Sequence, residues 1–488
     1  MYTFSSKLKT FSFLLMAMGV LGIGYGFWSA PKDIQEVETL LAAESHGSHG
    51  EVKHETSKSV GAYDASKGNE ESQSTKEESN PKVLHTNSTS EAVTESHESS
   101  LHAEVAEKKG GHEISEETEH AEHLNHVLHQ LQNKPWAAFY VACIFFMLVS
   151  LGVLAFYAIQ QVAQAGWSPV LFRVMQGITS YLPVGSVVFF IVLLLCGLHL
   201  NHLFIWLDPE VVATDKLIAN KSGYLNFPFW IVRAAIFLTG WSLYHYYSRK
   251  NCLAQDEASD DLFYKKNFKL SAMFLVFFIV TESIMSWDWI MSIDPHWFST
   301  LFGWYVFSSF FVSGITTIAL VTLYLKSRGF LEHVNTSHIH DLAKFMFGFS
   351  IFWTYLWFSQ YMLIWYANIP EEVTYYITRI ELYNLPFFGA VVMNFVFPLL
   401  ILVNTDFKRI TWVLVMAGAV ILVGHYIDFF NMIMPGTVGD RWFIGVSEIA
   451  SVLFFLGLFI YVVFTALTKV PLLPKRNPFI EESKHFHY

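Results

Sequence analysis

Residues 281–311 read TESIMSWDWIMSIDPHWFSTLFGWYVFSSFF, and their reading decides the fold. The run is apolar enough to lie in a bilayer, yet it carries Glu282, Asp288, Asp294 and His296. A carboxylate in hydrocarbon costs about 2.5 kcal/mol or more even on the mild insertion scale. Acids in such a run therefore face protein or water. They mark a polar path through an integral membrane protein.

The composition agrees. Of 488 residues, 53% are apolar and only 15% are charged, against about 25% charged in a soluble domain. Half of the acids, 21 of 42, fall within residues 31–134, together with 11 of the 21 histidines and nine lysines. The rest of the chain is close to neutral. No basic patch of the kind that binds nucleic acid is present. Three cysteines, Cys143, Cys196 and Cys252, have neither C-x-x-C nor C-x-x-C-H spacing. That excludes a covalent haem c, a four-cysteine iron–sulfur cluster or a zinc ribbon held within this chain. No cofactor and no metal site is expected here.

In chain order, residues 1–30 read as a membrane helix retained at the N-terminus, with a signal peptide cleaved near Ala30 as the alternative. Residues 31–134 are an acidic, His-rich linker outside the membrane, largely disordered or loosely helical. Its histidines, among them His120, His123, His126 and His129, read as a solvated tract rather than a metal site. Residues 135–470 form the polytopic domain, and 471–488 a cytoplasmic tail. Nine apolar segments lie at 136–160, 180–200, 228–247, 268–288, 301–325, 342–365, 385–403, 410–430 and 444–467, each near the ~20 residues that span a bilayer. An open sheet cannot satisfy its backbone in lipid. The expected fold is thus an all-α integral membrane protein of about ten transmembrane helices. With the N-terminus inside, 17 Lys and Arg flank the inner ends of the helices and four the short outer loops. Both termini are then cytoplasmic and the linker is outside.

Four outward-running helices are expected to end at Pro209, Pro295, Pro370 and Pro435. Ten residues before each proline stand His199, Met285, Gln360 and His425, and seven before stand His202, Asp288, Leu363 and Asp428. Positions three apart share a helix face, and seven residues is about 10 Å of helix. Glu282 follows on the same side. Inward-running helices add Arg233, Asn394 and Glu448. These residues read as a hydrated proton half-channel lined by Glu282, Asp288, His199, His202, His425, Asp428, Arg233 and Glu448. The bland alternative is polar glue between helices, such as Asp288 or Glu448 bonded to Arg233. The many tryptophans read mainly as packing and an interfacial belt. The outer loop with Glu371, Glu372, Tyr375, Tyr376, Arg379 and Glu381 reads as a docking surface or short interfacial helix.

Three stretches carry a family resemblance: 286–305 (SWDWIMSIDPHWFSTLFGWY), 358–376 (FSQYMLIWYANIPEEVTYY) and 424–436 (GHYIDFFNMIMPG). They resemble the ActF-type polytopic membrane subunits of bacterial alternative complex III, in the NrfD/PsrC-like superfamily, over about residues 136–470. The resemblance implies two four-helix bundles with flanking helices. It also implies a bacterial inner-membrane complex that oxidises quinol, menaquinol included, and passes electrons to cytochrome c or a terminal oxidase. The implied partners are a homologous membrane subunit, a multihaem cytochrome c subunit and an iron–sulfur subunit, which hold the haem c and the clusters. Proton half-channels are implied in both membrane subunits, and at most a secondary quinone site in this type. From the residues, a quinol site needs a base beside a ring oxygen, which His425 with Asp428, or His202 with Asp288, would supply. Two other classes remain: a b-type cytochrome using His199, His202, His245 or His425, and a secondary transporter.

Overall fold

The structure, a computed structural model, describes residues 2–47 and 103–487, without the side chains of 43–47, 103–119 and 122. Most of the acidic linker, and the reading of it as disordered, therefore lies outside the described residues. The chain divides into two units: Asp33–Val127, and the remainder. The first unit holds a helix, Ile34–Gly47, and the opening turns of a long helix that begins at Ala103. His120 and His123 lie on those turns and are exposed.

The larger unit is all helix, with no strand among the described residues. Its principal helices are α1 (Ser6–Ser29), α2 (Ala103–Val162, from Leu128 onward), α3 (Tyr181–Gly197), α4 (Phe227–Gln255), α5 (Leu262–Trp289), α6 (Phe302–Ser327) and α7 (Thr336–Ala367). A shorter α8 (Pro370–Glu381) follows. The broken α9 runs as Asn384–Val391, a π turn Val392–Val396, and Phe397–Leu402. Then come α10 (Thr411–Val438) and α11 (Val446–Thr468). Among the described residues nine of these spans are long and apolar enough to cross a membrane. The protein is a multi-pass helical membrane protein. The tenth expected segment, 342–365, lies within α7, whose 32 residues are rich in aromatic side chains.

The spans of α2 and α6 are the most enclosed. They touch backbone to backbone: a Cβ on Gly152 would stand 2.5 Å from the Phe310 carbonyl oxygen, and one on Gly314 2.8 Å from the Val153 nitrogen. Each of the two belongs to a group of four. In the first, α3 packs on α4 and α4 on α5, and the Tyr140 hydroxyl of α2 donates to the Trp289 carbonyl at 2.7 Å. In the second, α6, α7, α9 and α10 pack together.

Two of the four proline stops differ from expectation. Pro435 sits inside α10, which runs on to Val438. Proline has no N–H to give the carbonyl four residues back, here Asn431, and the Arg379 Nε takes that place at 3.1 Å. Before Pro209 the helix ends early. α3 stops at Gly197, with His199 left-handed (φ 55°). The His199 N–H donates to Cys196 O and the Leu200 N–H to Leu195 O, which is a Schellman closure. His199 and His202 therefore lie on an exposed loop, not on a helix face.

The α1 helix is built into the membrane unit by small residues facing α11. A Cβ on Gly22 would meet the Ala450 Cβ at 2.5 Å, and one on Gly19 the Phe454 backbone, whereas Gly24 has nothing within 4 Å. Cleavage near Ala30 would strip this contact away. We expect Gly22→Leu to destabilise the protein by the ~1–3 kcal/mol of an overpacked contact, read as a lower thermal unfolding temperature in detergent. Gly24→Leu should leave it unchanged.

Candidate functional site

Each four-helix group carries a buried aspartate at the position seven residues before a proline, and the two are held differently. In the first group Asp288 ends α5. Its carboxylate accepts from Arg233 Nε (2.6 Å), Arg233 Nη2 (3.0 Å) and the Tyr224 hydroxyl (2.8 Å). The guanidinium is flanked by the Tyr224 and Phe229 rings at 4.0 and 4.2 Å. The Asp288 carbonyl, unpaired as at any helix C-terminus, accepts from Trp230 Nε1 and Ser292 Oγ. Asp288 and Arg233 thus form a saturated fork that ties α4 to α5, which is the glue reading. One and a half turns back, Glu282 is buried without a cation. Ser283 donates to one oxygen at 3.1 Å, and the other finds no protein partner.

In the second group no cation neutralises Asp428. Tyr305 of α6 donates to its Oδ1, while Ser309 Oγ and Trp353 Nε1 each donate to Oδ2 at 2.8 Å. Ser309 Oγ also lies 2.9 Å from His425 Nδ1, which stands 3.9 Å from Asp428. One hydroxyl can donate only once. With Ser309 donating to Asp428, the proton between it and the imidazole belongs to His425 Nδ1. Tyr305, Asp428, Ser309 and His425 therefore form one hydrogen-bonded chain. His425 Nε2 has no protein partner.

Above this chain, on the lysine-poor face, is a cavity of about 160 Å³ lined by Asp294, Trp297, Thr374, Tyr375, Thr378 and Arg379, with Met432, Pro435 and Gly436 among its other walls. A gap of about 10 Å³ beneath it is lined by Tyr305, Gln360, Arg379 and Asn431, room for about one water. Both polar atoms of Gln360 and the Asn431 Oδ1 are buried without a protein partner, as a water site requires.

The predicted residues thus fall into separate places. Arg233 and Asp288 meet, Glu282 follows on the same helix, and His425 meets Asp428 in the other bundle. Glu448 lines neither group: it accepts the Gly445 N–H at 2.9 Å and closes the first turn of α11. One half-channel lined by all eight residues is not assembled, because the repeat places equivalent helices in different bundles. For a quinol site, the His202–Asp288 pair is not formed. Asp288 is already saturated, and His202 is on the loop, pinned through its backbone by Asn133. Of the haem-ligand candidates, His245 is in α4, 2.9 Å from Thr179, and His425 is in the other bundle.

Sequence reading missed a third group, at the lysine-rich end of the first bundle. The buried Tyr157 hydroxyl receives Gln161 and Gln176 at 3.0 Å and Ser248 and Asn267 at 3.2 Å. Tyr244 joins Ser271 at 2.7 Å, and Arg173 bridges Gln176 to Asp256. Asp256 also accepts the Lys475 N–H from the tail. The available signal was uncharged: Asn267 and Ser271, or Tyr157 and Gln161, four apart on apolar helices. The outer loop differs as well. It is helical, as one reading had it, but Tyr375, Tyr376 and Arg379 turn inward.

No protein-family model matches the chain, and no curated protein matches it as a relative.

The fork and the lone carboxylate make different demands. Arg233→Met leaves Asp288 buried and unpaired and should cost about 3–5 kcal/mol. Arg233→Met with Asp288→Leu should recover most of it, as read by thermal unfolding in detergent.

Proposed function

We propose that this chain is a membrane subunit of a bacterial quinol-oxidising electron-transport complex of the alternative complex III type, and that its own task is proton movement. The observation that supports this most is a convergence. The three stretches on which the resemblance rests are far apart in sequence, yet they line one place. Asp294, Trp297 and Tyr305 come from the first, Gln360, Tyr375 and Tyr376 from the second, and His425, Asp428, Asn431 and Pro435 from the third. Packing alone gives no reason for such a gathering of polar groups.

The mechanism follows from the geometry. Water enters the cavity on the lysine-poor face, which the charge rule makes periplasmic. A single water in the gap joins Gln360 and Asn431 to the Tyr305 hydroxyl. A proton gained at the free His425 Nε2 leaves from Nδ1 through Ser309 to Asp428, which exchanges it with Tyr305. Asp428 suits this task because its three donors are neutral. They hold the carboxylate in place with no cation paired to it. Glu282 and the Tyr157 network are the corresponding groups towards the cytoplasmic face in the first bundle. Electrons stay with the partners: haem c and iron–sulfur clusters belong to the neighbouring subunits. The chain sits in the inner membrane with both termini cytoplasmic. The His425–Asp428 pair remains the one secondary quinone position that the geometry brings together.

A transporter is the second reading, favoured by α9. Its π turn at Val392–Val396 carries the buried, unpartnered Asn394 beside Gly424, and broken helices near substrate sites are a transporter trait. Substrate uptake by the chain alone in proteoliposomes would select it.

In the assembled complex we expect Asp428→Asn to cut proton movement coupled to quinol oxidation at least tenfold, with the haem spectrum unchanged. Tyr305→Phe should give a smaller loss. Proton movement equal to wild type in both would contradict the proposal.

A further inference from the structure

Arg379 is a cation in an unusual position. It is only 5% exposed, and no carboxylate among the described residues comes within ion-pair distance of it. Its Nε is spent on the Asn431 carbonyl that Pro435 leaves open, and its Nη1 donates to the Tyr375 carbonyl at 2.8 Å. The guanidinium lies on the Tyr375 ring, 3.2 Å from its centre. Nη2 takes part in neither of these bonds, and Arg379 lines the 160 Å³ cavity. A buried charge without a partner costs several kcal/mol, so a group that supplies the missing negative charge binds there with advantage.

The other walls say what kind of group. Trp297 stacks on Tyr375 with ring centres 3.9 Å apart, and Ile290, Met291, Phe302 and Met432 complete an apolar lining. Thr374 and Thr378 already donate their hydroxyl protons to the Glu371 and Thr374 carbonyls. They offer the cavity acceptors only, so Arg379 is the donor an anion would use. The one acid on the wall, Asp294, lies near Lys221, whose ammonium sits on the Pro295 carbonyl at 2.6 Å and feels the Asp294 charge. A cavity of this volume holds about one six-membered ring, since an apolar cavity of about 150 Å³ takes up benzene.

We propose that this cavity is a binding site for a small organic carboxylate, one ring in size, whose carboxylate pairs with Arg379 Nη2 while its ring lies among the apolar walls. Planar guanidinium and planar carboxylate are matched for parallel hydrogen bonds. A bare inorganic anion would leave the apolar walls unused, and a neutral ring would leave the charge unpaired. Such a ligand would occupy the mouth of the path to Tyr305, but its binding does not depend on whether that path conducts.

Benzoate is the probe and benzamide its neutral counterpart. Thermal unfolding of the detergent-solubilised complex is followed while each is titrated. A saturable rise with benzoate, at least tenfold weaker or absent with benzamide, is expected. Arg379→Gln should abolish it. Thr378→Leu, which fills the cavity and leaves the charge in place, should weaken it at least tenfold, and it decides the matter if the arginine variant fails to fold. Equal shifts from benzoate and benzamide, no benzoate shift, or a benzoate shift that survives Thr378→Leu would overturn the proposal. Hydroquinone raising the temperature where benzoate does not would also overturn it, and would reassign the cavity to a neutral ring diol. None of these readouts measures proton movement, so a failure here leaves the proton path standing.

Discussion

Everything functional in this structure turns on how a buried aspartate is held. Two helices of the same pattern each carry one, and the surroundings give them opposite roles. Asp288 meets a guanidinium in a two-bonded fork with a phenol beside it. Its charge is fixed, and removing either member strands the other. Asp428 meets a phenol, a hydroxyl and an indole. It is oriented as firmly, but by neutral groups alone. The first arrangement ties helices together, and the second is the one on which the proposed proton movement rests.

The fold makes that contrast possible. Close contact between α2 and α6 at Gly152 and Gly314 sets the two bundles against one seam. Polar groups can then be sealed inside each bundle while the outer faces stay apolar. Pro435 adds a local device. By removing one backbone donor it opens the Asn431 carbonyl, and that carbonyl draws Arg379 inward from α8. A residue that looks like part of a surface loop thereby becomes a wall of the cavity.

Much of this was legible in the sequence. Apolar length found the helices, because a bilayer sets their size. The spacing before the prolines found Asp288, His425 and Asp428, because three residues make a shared face. What failed was the inference that a repeated pattern means one shared channel. His199 and His202 follow the same spacing, but α3 closes before them with a left-handed turn, a choice of backbone that spacing does not encode. Glu448 looked like a lining residue and serves its own helix N-terminus. Tyr305, Ser309 and Trp353 were invisible because hydroxyls and indoles are common in apolar helices. Only the packing of α6 and α7 against α10 shows which of them touch a carboxylate. The Tyr157 network was missed for the same reason, since its helix-borne members other than Arg173 are uncharged.

Proton movement through this chain requires Asp428 to exchange a proton during turnover. Infrared difference spectra of the assembled complex, oxidised against quinol-reduced, read that event from the carboxyl stretch itself. The account predicts a carboxylic-acid band that vanishes in Asp428→Asn and persists in Asp288→Asn. A band untouched by Asp428→Asn, or lost only with Asp288→Asn, would contradict it.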